Sequence, residues 1–515
     1  MKKNKYFIIA LGVGLSTLTS CNLDVAPTSY VEATDSNNAI KTDLELNAMR
    51  NGIYSSFRST FYGVNSQPSE VMCDGFNAAI GYGNNYGGIH RTDMTFTSSD
   101  YDTEDLWKSM YSAIKDYNIF INSAQNYGNV NAGSKANADL YAGEALCFRA
   151  YSYMELVRHF AKAYNTATAS SDLGVPLVLA YNQLEKPHRA TVAKVYEQIK
   201  ADLDLAASYG IANKPGAKRS ELVTSDVLNM LYARYYLDTK NNEKAAEYAE
   251  KVINSAAEYV VSSNADAMKA EYTNDNGTEA IMQLPASITE NGSGTNDYYT
   301  KARNNPKLVS LGFPGKGIYL APYFLPSGKL IDSYTESDLR LNQWFTKNYY
   351  LIEVGGKKFK DIYAFSKYLG NPALRSSSVP NARQHVKPFM IGEAYLIAAE
   401  AYFKGGDAEK AKIALNALQS ARVAEVTEAT EENIENEWFR ETVGEGLRIS
   451  CLKRWGKGYT GRAVQSAASR AGMVYTGTNY DKKSMTADDV HWVWPIPAYE
   501  VKVNQSLENE QNPGY

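Results

Sequence analysis

Cysteine and histidine are scarce in this chain. Its 515 residues hold 4 Cys and 5 His. Cys21 ends an N-terminal apolar run, which leaves Cys73, Cys147 and Cys451. An odd set so far apart is not a disulfide framework. Cys147 and Cys451 fall in helix-like stretches, so buried thiols are expected. His90, His159, His188, His385 and His491 are too dispersed for a local metal motif. Charge of one sign is lacking too: 53 Lys and Arg stand against 57 Asp and Glu, a net charge of −4. That balance, mixed along the chain, argues against a nucleic-acid face and against a polybasic membrane patch. After Asn22 no apolar run approaches the roughly 20 residues that span a bilayer. There is no His-Glu-x-x-His and no Gly-x-Ser-x-Gly. Gly328-Lys329 is followed by Leu330, which excludes a phosphate loop. Gly81 to Tyr86 begins like a dinucleotide loop and ends in tyrosine. No cofactor and no metal are expected.

The N-terminus is informative. Lys2, Lys3 and Lys5 precede an apolar stretch from Tyr6 to Leu15, and Leu18-Thr19-Ser20-Cys21 follows. The run is too short to cross a bilayer and suits a secretory signal over residues 1–20. Small residues leading directly into a cysteine read as a lipobox. Cys21 is then the acylated first residue of the mature protein, and residues 21–40 form a lipidated tether. Tyrosine is the compositional excess: 39 Tyr against 16 Phe and 6 Trp. Its flat apolar face and hydroxyl suit a surface that is both wet and adhesive.

Residues 41–515 read as one mainly α body with loop-rich elaborations and a few short strands. Apolar spacing of about 3.6 predicts helices over Asp43–Phe57, Asp105–Asn122, Asp139–Phe160, Thr191–Ala207 and Glu431–Trp455. Two pairs, 224–237 with 243–255 and 390–403 with 407–424, look like tetratricopeptide hairpins. Ala245, Ala246 and Ala249 in one, and Ala394, Ala398, Ala399 and Ala401 in the other, let helices approach closely. The helical scaffold thus occupies about 104–260 and 388–460. Between lie Gly-, Asn-, Ser- and Tyr-rich stretches, about 61–103 and 262–385, with strand-like pieces at Ala280–Leu284 and Tyr349–Val354. Loops this long are usually functional or disordered.

Several segments together resemble one family. Cys21-Asn22-Leu23-Asp24 with Pro27 looks like a mature start. Trp107, Tyr111 and Asn118, then Phe148-Arg149-Ala150, then Gly174-Val175-Pro176-Leu177 follow in order. Glu393 to Ala401, Glu437 to Glu441, Gly444 to Arg448, Lys453-Arg454-Trp455-Gly456 and the final Gln511-Asn512-Pro513-Gly514-Tyr515 complete the series. The chain resembles the SusD/RagB family of outer-membrane nutrient-uptake lipoproteins from Bacteroidetes. It departs from the pattern at Cys451, where Asp is common, and at Trp438, where Arg is common. The resemblance implies a tetratricopeptide-containing lid on a TonB-dependent β-barrel transporter of the SusC type. It implies capture of oligosaccharides, or of peptides in the RagB branch, with no catalysis. The expected location is the outer membrane, lipid-anchored and facing outward.

The acidic cluster Asp100, Asp102, Glu104 and Asp105 precedes a helix, where carboxylates favour the dipole and cap free N–H groups. Glu393, Glu400, Arg440 and Arg448 read as ion pairs between packed helices. Trp107, Trp455, Trp492 and Trp494 read as packing residues. The aromatic loops are the candidates for ligand contact. Phe76, Tyr82, Tyr86, Tyr101, Tyr298, Tyr299, Tyr319 and Trp344 stand among Gly and Asn. A sugar ring offers an apolar C–H face to stack on aromatics and a polar rim for hydrogen bonds. Asn77, Asn84, Asn85, Arg91, Asn296 and Asp297 are the polar candidates. Of these, Tyr82, Tyr86, Phe76, Asn84, Asn85, Arg91, Tyr101, Tyr298 and Trp344 are expected to contact the ligand.

Overall fold

The computed structural model describes residues 38–61, 66–289, 297–465 and 472–515. The expected signal, 1–20, and most of the expected tether, 21–40, lie outside these residues. The chain is mainly α. Tyr101–Val130 and Lys135–Phe160 form a long antiparallel pair, onto which Val192–Ser208 packs. Lys135–Phe160 is the central helix, buried on nearly every side from Ala142 to Phe160. A helix apolar all round belongs in the interior.

Ser225–Asp238 and Asn242–Ile253 form the first hairpin, and Ile391–Lys404 with Ala408–Ala421 the second. The second stacks directly on the first, Ile391–Lys404 lying against Asn242–Ile253. Ala245, Ala246 and Ala249 are buried on one side, Ala394, Ala398 and Ala401 on the other. Small side chains bring the backbones together across an interval of more than a hundred residues. Glu393 then locks the hairpins, accepting from Arg234 Nε at 2.7 Å and Nη2 at 2.6 Å. The chain leaves and re-enters this stack through one two-stranded ladder. Ala280–Leu284 pairs antiparallel with Val386–Met390, so the long insertion begins and ends at one place.

The helix at Asp43 runs to Ser59, and the one expected from Asp105 starts earlier and ends later, at Tyr101 and Val130. Asp100 caps the latter, accepting from Asp102 N and Thr103 N. The expected helix over 431–455 is two, Glu431–Glu441 and Arg448–Trp455. Gly444 (φ +80°) and Gly446 (φ +77°) break it in a left-handed turn. The strand expected from Tyr349 starts at Leu351. The loop-rich parts have their own core, separate from that of the helices, with Phe76, Tyr299, Phe324, Trp344, Phe345 and Phe365 buried within it. Cys73, Cys147 and Cys451 are free, buried thiols.

Candidate functional site

Three distant segments are stitched together by backbone hydrogen bonds. Phe76–Ala78 pairs antiparallel with Phe324–Pro326. Ala79 N donates to Tyr323 O at 2.9 Å, Ile80 N to Met473 O at 2.8 Å, and Tyr475 N to Ala78 O at 2.9 Å. This arrangement gathers tyrosines from all three. Tyr475 stacks on Tyr480 with ring centroids 5.1 Å apart. Tyr86 lies over Phe324 at 6.4 Å, nearly parallel. Lys301 Nζ sits 4.7 Å from the Tyr323 ring centroid. Tyr86, Tyr323, Tyr475 and Tyr480 are each half-buried and packed against the core of the loop-rich part.

The loop carrying Tyr86 is held under strain. Asn84 (φ +59°), Tyr86 (φ +52°) and Thr92 (φ +43°) all adopt left-handed backbone. Such residues cost of order 1–3 kcal/mol each and cluster at ligand sites. Arg91 holds the conformation. Its Nη1 donates to Tyr82 Oη at 2.7 Å and to Asn84 Oδ1 at 2.8 Å, its Nε to Asp93 at 2.8 Å, and its Nη2 to Thr95 at 3.0 Å. A Cβ at residue 87 would overlap the Asn84 carboxamide and displace it from Arg91, so glycine there preserves this arrangement. Burial pushes the Tyr82 phenol well up, so it stays protonated and donates to Asn84 Oδ1 at 3.1 Å. Behind the loop, burial lowers the pKa of His90, and the neutral ring meets Val71 O at 2.7 Å.

The sequence-predicted residues divide. Tyr86, Asn84 and Asn85 reach the surface of this face. Tyr82 does not serve as a platform: only 4% exposed, it packs edge-on against Phe324 and Tyr475 and forms the wall beneath them. Arg91 is likewise buried and committed to its own loop. Phe76 is a core residue, stacked on Tyr299 at 4.5 Å, and both rings are fully buried. Trp344 is also core. It is fully buried, with Lys367 Nζ 3.9 Å from its ring centroid and Arg422 Cζ 5.4 Å away. These cations favour its π face and close it to ligand. Tyr101 is exposed at the first turn of its helix, beside Asp100, which abuts Gly88 of the loop. Asn77 is buried. Asn296 and the side chains of Asp297 and Tyr298 lie outside the described residues. Tyr323, Tyr475, Tyr480 and Lys301 went unnamed, since only tertiary pairing brings them here.

The charged residues of the helices are structural. Glu400 takes Arg454 at 2.9 and 2.7 Å and Trp455 Nε1 at 3.0 Å. Arg440 pairs with Glu437, and Arg448 holds Asp74 at 3.0 Å through two nitrogens. Among the described residues no group of His, Cys, Asp and Glu is arranged to hold a metal.

Residues 23–215 match the SusD-like family described as "Starch-binding associating with outer membrane". Over that stretch the chain is similar to SusD-like proteins. Past residue 215 the likeness is one of fold. A SusD superfamily protein from Bacteroides thetaiotaomicron superposes with a TM-score of 0.74 at 22% identity, covering 92% of this chain and all of that one. Surface glycan-binding protein A from Bacteroides fluxus gives 0.69 at 20%, with 92% and 100% covered. A laminarin binding SusD-like protein gives 0.68 at 18%, with the same coverage. No curated protein matches the sequence. No helix among the described residues is long and apolar enough to cross a membrane.

Proposed function

We propose that this chain is a non-catalytic SusD-like lipoprotein that captures oligosaccharides at the Tyr86–Tyr323–Tyr475–Tyr480 face. The observation that carries the reading is the grouping of four half-buried rings from three segments beside a strained loop rimmed with Asn84 and Asn85. Ring faces accept the C–H side of a pyranose, and carboxamides and the Lys301 ammonium meet its hydroxyls. The family description and the glycan-binding names of its structural neighbours support the same ligand class. Cys21 carries the lipid that holds the chain to the outer membrane, facing outward. The captured sugar passes to a TonB-dependent β-barrel of the SusC type. Stacking sites of this kind bind at about micromolar affinity or weaker. Tethering beside the transporter raises the effective concentration and compensates for that weakness.

The test is calorimetric titration of the intact protein with malto- and laminari-oligosaccharides and, in parallel, with peptides. Saturable sugar binding, with the sugar recovered unchanged, is expected. Saturation by peptides alone would end the carbohydrate reading and leave the RagB-like one.

A further inference from the structure

The long insertion carries a second aromatic hollow, built from elements that share no residue with the Tyr86 face. It is open to solvent and holds about 470 Å³. One wall is the segment between the short helix Leu339–Gln343 and the strand Leu351–Val354, and Tyr363 closes the other. Phe345 is buried at its base. Tyr349 is 49% exposed and meets Tyr350 edge-on at 4.7 Å. Tyr350 can lie there because residue 315 is glycine, a Cβ at that position running into its ring.

The electrostatics are one-sided. Lys347 Nζ lies 4.6 Å from the Tyr363 ring centroid and forms no ion pair with any described residue. Arg375 lies outside the lining, beyond Leu369. Its Nη2 donates to Leu369 O and Gly370 O, while its Nε is buried with no acceptor among the described residues. Asn342, Gln343, Thr346 and Ser366 bring amides and hydroxyls to the lining, which contains no carboxylate. The closest acidic side chain in sequence, Asp361, is engaged by Asn348 Nδ2 at 2.7 Å. An exposed ring, neutral hydrogen-bonding groups and the Lys347 ammonium, with no carboxylate in the lining, together describe a site for a sugar that carries an anion.

We propose that this hollow binds a uronate residue of an acidic oligosaccharide, its ring face on Tyr349 and its carboxylate at Lys347. The proposal rests on the carbohydrate reading of the chain and adds a second site and a charged substrate class to it. The experiment is titration of the full-length protein with trigalacturonate and a hyaluronan tetrasaccharide, each against its methyl ester. At least one acid is expected to bind about tenfold more tightly than its ester at low salt, with the difference shrinking as salt rises. Lys347→Gln and Tyr349→Ala are both surface changes and are each expected to weaken that binding about tenfold, while Tyr86→Ala leaves it unchanged. Equal affinity for acid and ester, or indifference to both variants, overturns the proposal. Loss on Tyr86→Ala instead moves the acidic sugar to the first face, which overturns the second hollow and leaves the proposed function standing. Lys347-dependent uronate binding in a chain whose Tyr86 face binds no sugar upholds this site and overturns the earlier one.

Discussion

Arg340 and Glu437 stand 97 residues apart in sequence and meet at 2.6 Å, neither exposed to solvent. They begin a buried chain of charge that fastens the insertion to the helical stack. Arg340 also reaches Asp338 and Glu441, and Arg422 bridges Glu441 to Glu279 at 2.5 and 2.7 Å. Removing one partner strands the others in a medium that cannot solvate them, which costs about 3–5 kcal/mol. Arg340→Ala and Arg422→Ala should each lower the unfolding free energy by that amount, read from urea denaturation. Arg340→Met with Glu437→Leu should recover part of it, because the desolvation penalty of those two groups goes with them.

Phe76→Leu and Trp344→Phe should reduce stability by about 1–3 kcal/mol without changing sugar affinity, since both rings are core. A thermal melt set beside a binding titration separates the two effects. Affinity that falls with Trp344→Phe while the melt is unmoved would restore Trp344 to the ligand.

The helices were legible because burial on one face imposes a 3.6-residue rhythm, and the alanine ladders of the two hairpins announced that they stack. Asp100 as a cap followed from carboxylates placed ahead of that rhythm. Trp344 was misread for a definable reason. Asn342, Gln343 and Asn348 around it look like a loop rim, and the cations that enclose it, Lys367 and Arg422, are distant in sequence. Tyr323, Tyr475 and Tyr480 were invisible for the converse reason. Each stands in an unremarkable stretch, and only the pairing of Phe76–Ala78 with Phe324–Pro326 and the bridge between Ala79 and Val474 assemble them. The break at Gly444 and Gly446 could have been read, because two glycines so close in a helical pattern are a stop signal.

Glu70 gives the protein a pH dependence of definite sign. Complete burial pushes its carboxyl up to about 7, against donation from Gly446 N at 2.9 Å. Between the ordinary value of 4.5 and 7 the unfolded chain has lost a proton that the folded chain retains. Stability from this group therefore falls as pH rises through that window and is level above it. Glu441 acts oppositely. Burial works against its ionisation, but Arg422 and Arg340 outweigh it and hold the carboxyl down at about 2, so its contribution is present above 4.5 and lost toward 2. Glu70→Gln should keep the Gly446 hydrogen bond and remove the first effect. Its stability relative to the parent, followed by urea unfolding, should grow by about 3 kcal/mol from pH 4.5 to 7. A difference that does not change with pH would refute the assignment.

Cys21→Ala should release the protein from the membrane fraction into the detergent-free soluble fraction, with loss of labelling by a fatty-acid analogue. Retention in the membrane with unchanged labelling would show that the anchor lies elsewhere.

The central claim is that the tyrosine face holds sugar and leaves it intact. The most direct measurement titrates malto- and laminari-oligosaccharides into the parent protein and into Tyr86→Ala, Tyr475→Ala, Tyr480→Ala combined, with chromatography of the recovered sugar. The expected result is saturable binding by the parent and a loss of about tenfold or more in the variant, at about 0.5–1.5 kcal/mol for each ring, with sugar of unaltered length. Equal affinity in parent and variant, or shortened sugar, would contradict it.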